Sequence, residues 1–195
     1  MTLDEMCLAA ARYSDRYDEM EKNEDGEYED DALHYFNVFR DAINEAYREV
    51  SRKYAAPDTY ATATVDRNGQ IDLSEMDPPV YALKEIFNSD ATVAYSYTFE
   101  TKYVVNIRNV ANERVQLYYH YMPDELKRLK DVPVFTDAQV DPMIYISLAV
   151  ARMWQSEKKF DYANHWMSQY YTLLRDVRNG LNDRSKRRIP RRRFR

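Results

Sequence analysis

The run from Asp141 to Leu181 restricts the fold more than any other stretch. Asp141-Pro142 opens it with a good N-cap followed by a proline suited to the first helical position. Ile144, Leu148, Ala151 and Trp154 or Gln155 then recur at helical spacing, and Lys158-Lys159 supply cations where a helix C-terminus favours them. After Phe160, Asp161 is placed to cap a second helix, with a stripe of Ala163, Trp166/Met167, Tyr170, Leu174, Val177 and Leu181. Two helices joined this closely must run antiparallel, so the segment reads as a helical hairpin.

Upstream, Thr2-Leu3-Asp4-Glu5 has the form of a capping box, and Met6, Ala9/Ala10 and Tyr13 continue a modest helix. Residues 15–31 hold ten acids and two bases around Asn23–Glu27. They lack the alternating ligands and closing Glu of a calcium loop, so a solvated, mobile loop is expected. A longer helix follows from about Asp30 to Tyr54, with Leu33, Phe36, Phe39/Arg40, Ile43, Ala46/Tyr47 and Val50 on its apolar face; Pro57 ends it.

Past Pro57 the period becomes alternating. Strands are expected over Tyr60–Val65, Gln70–Leu73, Thr92–Thr101, Tyr103–Ile107 and Val115–Tyr121, with turns at Asp66–Gly69 and Asn109–Glu113. Val80–Phe87 fits a strand or a helical turn equally well. Pro123–Leu126 reads as a short helical turn before Pro133 and the hairpin. The expected fold is mainly α with an inserted small antiparallel β-sheet: a bundle of about four helices carrying an extended basic C-terminal tail. Its divisions are 1–57 (helical pair and acidic loop), 58–122 (β-region), 123–181 (hairpin completing the bundle) and 182–195 (Arg-rich tail). Tyr118–Tyr121 present side chains to both sides of a strand; one side is expected to pack on the helices and the other to form a subunit interface.

The charge is unevenly distributed. Residues 184–195 carry eight Arg or Lys and no acid, so a chain of net charge −5 has a body at −13. Such a tail asks for a polyanionic or acidic partner. Arg184, Lys186, Arg187, Arg188, Arg191, Arg192, Arg193 and Arg195 are the candidate docking cations, and Ile189, Pro190 and Phe194 the apolar anchors among them.

Catalytic chemistry finds little footing. Three glycines make no phosphate-binding loop, and His34, His120 and His165 stand far apart without a ligand pattern. Cys7, on an apolar helix face, reads as a buried structural thiol, and a single cysteine excludes an internal disulfide. No apolar run reaches the length of a membrane span and no signal-peptide core opens the chain, so a soluble protein of a reducing compartment is expected. Neither an enzyme nor a cofactor is called for.

The order of segments carries a resemblance. Helices are followed by NGQIDLSEMDPPVYALKEIF, KYVVNIRN and VQLYYHYMP, then by DPMIYISLAVARMWQSEKKFDYANHWMSQYYTLL. This series, roughly Tyr60 to Leu174, resembles the head-to-tail connector (adaptor) proteins of tailed bacteriophages. The strand end Leu117-Tyr118-Tyr119 with Met122-Pro123, and the Ala149, Trp154 and Asp161-Tyr162-Ala163 positions, carry it best. One departure is that Ser74–Asp77 intervenes where a proline is expected soon after Asp72-Leu73. The resemblance implies a homo-oligomeric, twelvefold ring in the virion neck, assembled in the host cytoplasm. Its partners would be the portal protein and a tail or second neck protein below. It also implies that the tail docks on the portal; non-specific contact with genomic DNA is expected from the Arg-rich composition itself, and no membrane contact is expected. The alternative is a nucleic-acid-binding module using the Arg-rich tail on an acidic body.

Overall fold

A computed structural model describes residues 1–54, 56–136 and 139–186, with side chains through residue 177. The chain is mainly α-helical, with two small antiparallel sheets inserted between its second and third helices. It divides into two units, one holding all four helices and the other being Ala56–Pro123.

In the helical unit, α1 (Leu3–Tyr13) begins with a complete capping box: Thr2 Oγ1 accepts from Glu5 N–H at 3.2 Å and Glu5 Oε2 accepts from Thr2 N–H at 2.8 Å. Its buried face is Leu3, Met6, Cys7, Ala10 and Ala11. Burial pushes the Cys7 thiol far up, so it stays protonated and packs as a small apolar group. α2 (Asp30–Lys53) buries Phe36, Phe39, Ile43, Ala46, Tyr47 and Val50, as its stripe requires. Leu33 is the exception at 43% exposed; Ala32 is buried instead, because the helix turns that side of its first turn toward the core.

The acidic segment is more than a solvated loop. A one-turn 3₁₀ helix (Tyr17–Glu19) leads into an antiparallel bridge between Lys22 and Tyr28. Asn23 Oδ1 accepts from the Asp25 and Glu27 amides, and Gly26, at φ +80°, turns the tip. Met20 and Tyr28 are buried, Tyr28 stacks on Phe36 at 5.0 Å, and its hydroxyl donates to Asp4 at 2.7 Å. The expectation of a free loop therefore fails: two apolar side chains anchor the segment, while Glu21, Glu24, Asp25 and Glu27 remain exposed around them.

α3 (Met143–Ser156) and α4 (Phe160–Lys186) form the hairpin. Asp141 caps α3 by accepting from Met143 N–H at 2.9 Å. The link between the helices turns on Lys158 in the left-handed region (φ +60°), with Lys159 N–H donating to Trp154 O at 2.9 Å. Asp161 lies inside the first turn of α4 rather than at its cap, because the Ala163 amide bonds to Lys159 O. Ala163, Tyr170 and Leu174 are buried, while Trp166, Met167 and Val177 are half-buried against the same core. No helical turn forms at 123–126. Leu126 is instead held by Asn44, whose Oδ1 accepts from Leu126 N–H at 2.8 Å and whose Nδ2 donates to Leu126 O at 2.9 Å.

The β-unit contains seven strands in two sheets rather than the single sheet expected. β1 (Asp58–Thr64), β7 (Arg114–Tyr121), β3 (Val80–Asn88) and β4 (Ala94–Tyr95) lie side by side in that order. The second sheet is β2 (Gln70–Asp72), β6 (Val104–Ile107) and β5 (Tyr97–Phe99). The expected strand Thr92–Thr101 divides at Ser96, where the chain leaves β3 for β6; Tyr95 pairs with Ile86 and Tyr97 with Ile107. Both sheets feed one core, including Val65, Ile71, Ile86, Val105, Ile107, Val115, Leu117 and Tyr119. The inward side of β7 is thus covered within its own unit, not by the helices as expected. Gly69 (φ +81°) closes the β1–β2 turn beneath Ile107, where a Cβ would meet the carbonyl oxygen at 2.8 Å.

Candidate docking surfaces

Of the Arg-rich candidates, Arg184 and Lys186 lie on the last turn of α4, whose backbone helix runs to Lys186. Residues 182–186, assigned to the tail by sequence, are therefore helical. Arg187, Arg188, Ile189, Pro190, Arg191, Arg192, Arg193, Phe194 and Arg195 lie outside the described residues.

What the structure does assemble is the outer face of the β1-β7-β3 sheet. Alternation puts Val115, Leu117 and Tyr119 inside and Gln116, Tyr118 and His120 outside. The β1 register sets Tyr60 opposite Tyr118 and Asp58 opposite His120. The two tyrosine rings stack at 4.8 Å and 20°, with Tyr60 64% exposed. Tyr118 donates its hydroxyl to Asp58 Oδ2 at 2.6 Å, and His120 Nδ1 pairs with Asp58 Oδ1. That hydrogen bond, helped by burial and the Asp58 charge, pushes the Tyr118 phenol up to about 12. Across β7, Gln116 Nε2 donates to Ser89 O at 2.8 Å. Tyr81, Phe99 and Tyr103 add exposed aromatic surface elsewhere on the unit. The expectation that Tyr118–Tyr121 present side chains to both sides of the strand matches this geometry, with Tyr119 inside and Tyr118 and His120 outside. The Tyr60 and Asp58 contributions were missed, because they depend on which strand lies beside β7.

The helical unit offers ion pairs that are architectural. Arg16 links the turn after α1 to Glu157 at the end of α3 and to Glu19 at 2.7 Å. Arg152 pairs with Glu45 across α3 and α2, and Tyr170 donates to Glu49 at 2.6 Å across α4 and α2. Among the described residues no group of three or more His, Cys, Asp or Glu is placed to hold a metal ion, and no helix is long and apolar enough to cross a membrane. His34 and His165 contact aromatic rings instead: Tyr35 at 5.6 Å and Trp166 at 6.0 Å.

No protein-family model matches the chain, and no curated protein is detectably similar to it.

Proposed function

We propose that the chain is a structural virion protein of a tailed bacteriophage, forming a homo-oligomeric ring in the neck that joins the portal to the tail and lines the DNA exit path. The observation that carries this reading is a β-unit with its own core set between α2 and α3 of a helical bundle, presenting an aromatic outer face. This is the architecture expected of the connector proteins that the sequence resembles. The ordered ion pairs and hydrogen bonds join helix to helix and strand to strand, as a scaffold needs.

The Arg-rich segment 184–195 supplies the portal contact, its guanidinium groups matching carboxylates in bidentate pairs. Removing residues 184–195 shortens α4 by only its last three residues, so the far-UV circular dichroism should hardly change. Co-purification with the portal protein of the same phage should be lost, and for the intact chain it should weaken as salt is raised. Undiminished portal binding by the shortened chain would remove the tail from the docking site. Salt-dependent DNA binding without portal binding would favour the nucleic-acid module.

A further inference from the structure

The two sheets end on β1, β4, β2 and β5; β4 has two residues, β2 and β5 three each, and the stretch of β3 that β4 leaves open, Val80–Glu85, is broken by two register shifts. β1 is different. It runs for seven residues, Asp58–Thr64, in unbroken register with β7. The hydrogen bonds flanking the strand show which backbone groups are used. Val65 N–H donates to Glu113 O and Tyr121 N–H donates to Pro57 O, so the odd-numbered residues of β1 bond to β7. The N–H and C=O groups of Asp58, Tyr60, Thr62 and Thr64 therefore point away from β7. Among the described residues nothing pairs with them, and all four residues are exposed.

Exposed edges of this length normally carry a device against pairing: a lysine, a proline, a bulge or a covering element. β1 contains no lysine and no proline, and its register has no bulge. Four of its seven residues, Thr59, Tyr60, Thr62 and Thr64, are of strand-favouring types.

We propose that β1 is a strand-pairing surface whose partner is β1 of a second copy, added antiparallel across a two-fold axis at Ala61. The argument for a second copy is register. With Ala61 facing Ala61, Tyr60 stands opposite Thr62 and Asp58 opposite Thr64. All four outward-bonding residues of each strand are then used, giving about eight new backbone hydrogen bonds. A shift of two residues in either direction leaves one of them unpaired on each strand. A shift of one residue turns the wrong faces together. In the favoured register each aromatic meets a β-branched residue, and the small Thr59, Ala61 and Ala63 meet on the inner side without crowding. No like charges oppose one another. The only ionisable carboxylate, Asp58, already accepts from Tyr118 of its own sheet and faces a threonine across the axis. The pairing joins two four-stranded sheets into one of eight strands. Being isologous, it is separate from the head-to-tail contacts a ring needs, and does not rest on the ring reading.

Light scattering of the full chain over a concentration series tests this together with three variants. Thr62→Pro removes an outward N–H while sparing the bonds to β7, and edge strands tolerate proline at such positions. Ala61→Cys places two thiols face to face at a non-hydrogen-bonded pair, within disulfide reach. Thr59→Cys faces Ala63 of the other copy and has no thiol to meet.

With no portal protein present, the expected result is a monomer–dimer equilibrium for the natural chain and a monomer for Thr62→Pro with unchanged circular dichroism. Under mild oxidation, Ala61→Cys should give a cross-linked dimer and Thr59→Cys none. Folded Thr62→Pro that self-associates as before would overturn the inference, as would folded Ala61→Cys that fails to cross-link, whether or not Thr62→Pro folds. A natural chain that stays monomeric at every concentration would also overturn it, leaving the edge to a strand of another protein. Rings of unchanged size from Thr62→Pro, with no cross-link from Ala61→Cys, would defeat strand pairing and leave the ring reading standing.

Discussion

Asn44 lies on the buried side of α2 between Ala42 and Ala46, yet its amide is satisfied at both ends by the backbone of Leu126. The pair of bonds stands in for a helical turn, fixing the entry to the 127–135 segment against α2. Asn44→Ala leaves a buried N–H and C=O without partners, and should cost about 1–3 kcal/mol each when water cannot reach them. The shift in urea midpoint measures it; no shift would mean that water already serves the Leu126 backbone.

Carboxylates give the fold its pH dependence. Hydrogen bonds from the Gln70 and Asn68 amides hold Asp66 below the ordinary carboxylate range. Glu49 is opposed by burial, but its bonds from Lys53 and Tyr170 prevail and hold it low as well. A carboxylate depressed in the folded state adds stability above its unfolded pKa of about 4, and that stability is lost as pH falls through the lower, folded value. Thermal stability should therefore be level near neutrality and decline as acid takes the solution through and below the ordinary carboxylate range. Glu49→Gln should flatten the helical unit's share of that decline. An identical pH profile for this variant would contradict the assignment.

At the scale of elements, the α3–α4 link concentrates strain in one residue. Lys158 holds φ +60° where helix ends usually place glycine. Lys158→Gly should therefore stabilise the chain by about 0.5–1 kcal/mol, read as a rise in melting temperature. A fall would mean that the lysine side chain contributes more than its backbone costs.

The elements also divide into those legible in the sequence and those not. α1 was legible because its cap is local, and the α3–α4 hairpin because periodicity and a short connection settle it. Within the α4 stripe, Trp166 rests on Tyr13 at 5.2 Å and is half-buried, since Ala163, Tyr170 and Leu174 take the centre. The division of the β-region was not legible. Whether Thr92–Thr101 is one strand or two depends on β3 and β6, distant in sequence, and local alternation carries no information about pairing partners. The same reason hid the Asp58–Tyr118–His120 group, whose members meet only through the β1–β7 register. Met20 and Tyr28 were hidden by the charge around them, though two apolar residues flanking a tip with Asp25-Gly26 were the available signal.

For the whole molecule, the separation of the two cores has a direct consequence. Every residue of the β-unit's core lies between Ala61 and Tyr121, and none of the helical unit's core lies in that interval. A fragment comprising residues 56–123 should therefore fold alone, with a β-type circular dichroism spectrum and a cooperative thermal transition. A fragment without a cooperative transition would show that the β-unit needs the helices.

The same separation fits a scaffold in which the bundle and the inserted unit present different surfaces to different neighbours. Its Arg-rich end is opposite in charge to the body. The most direct test is electron microscopy of the full chain mixed with the portal protein of the same phage. The proposed function predicts a closed ring of copies seated on the portal's tail-facing end, lost when residues 184–195 are removed. A bare portal beside unassembled chain, under low-salt conditions in which both proteins are folded, would contradict it.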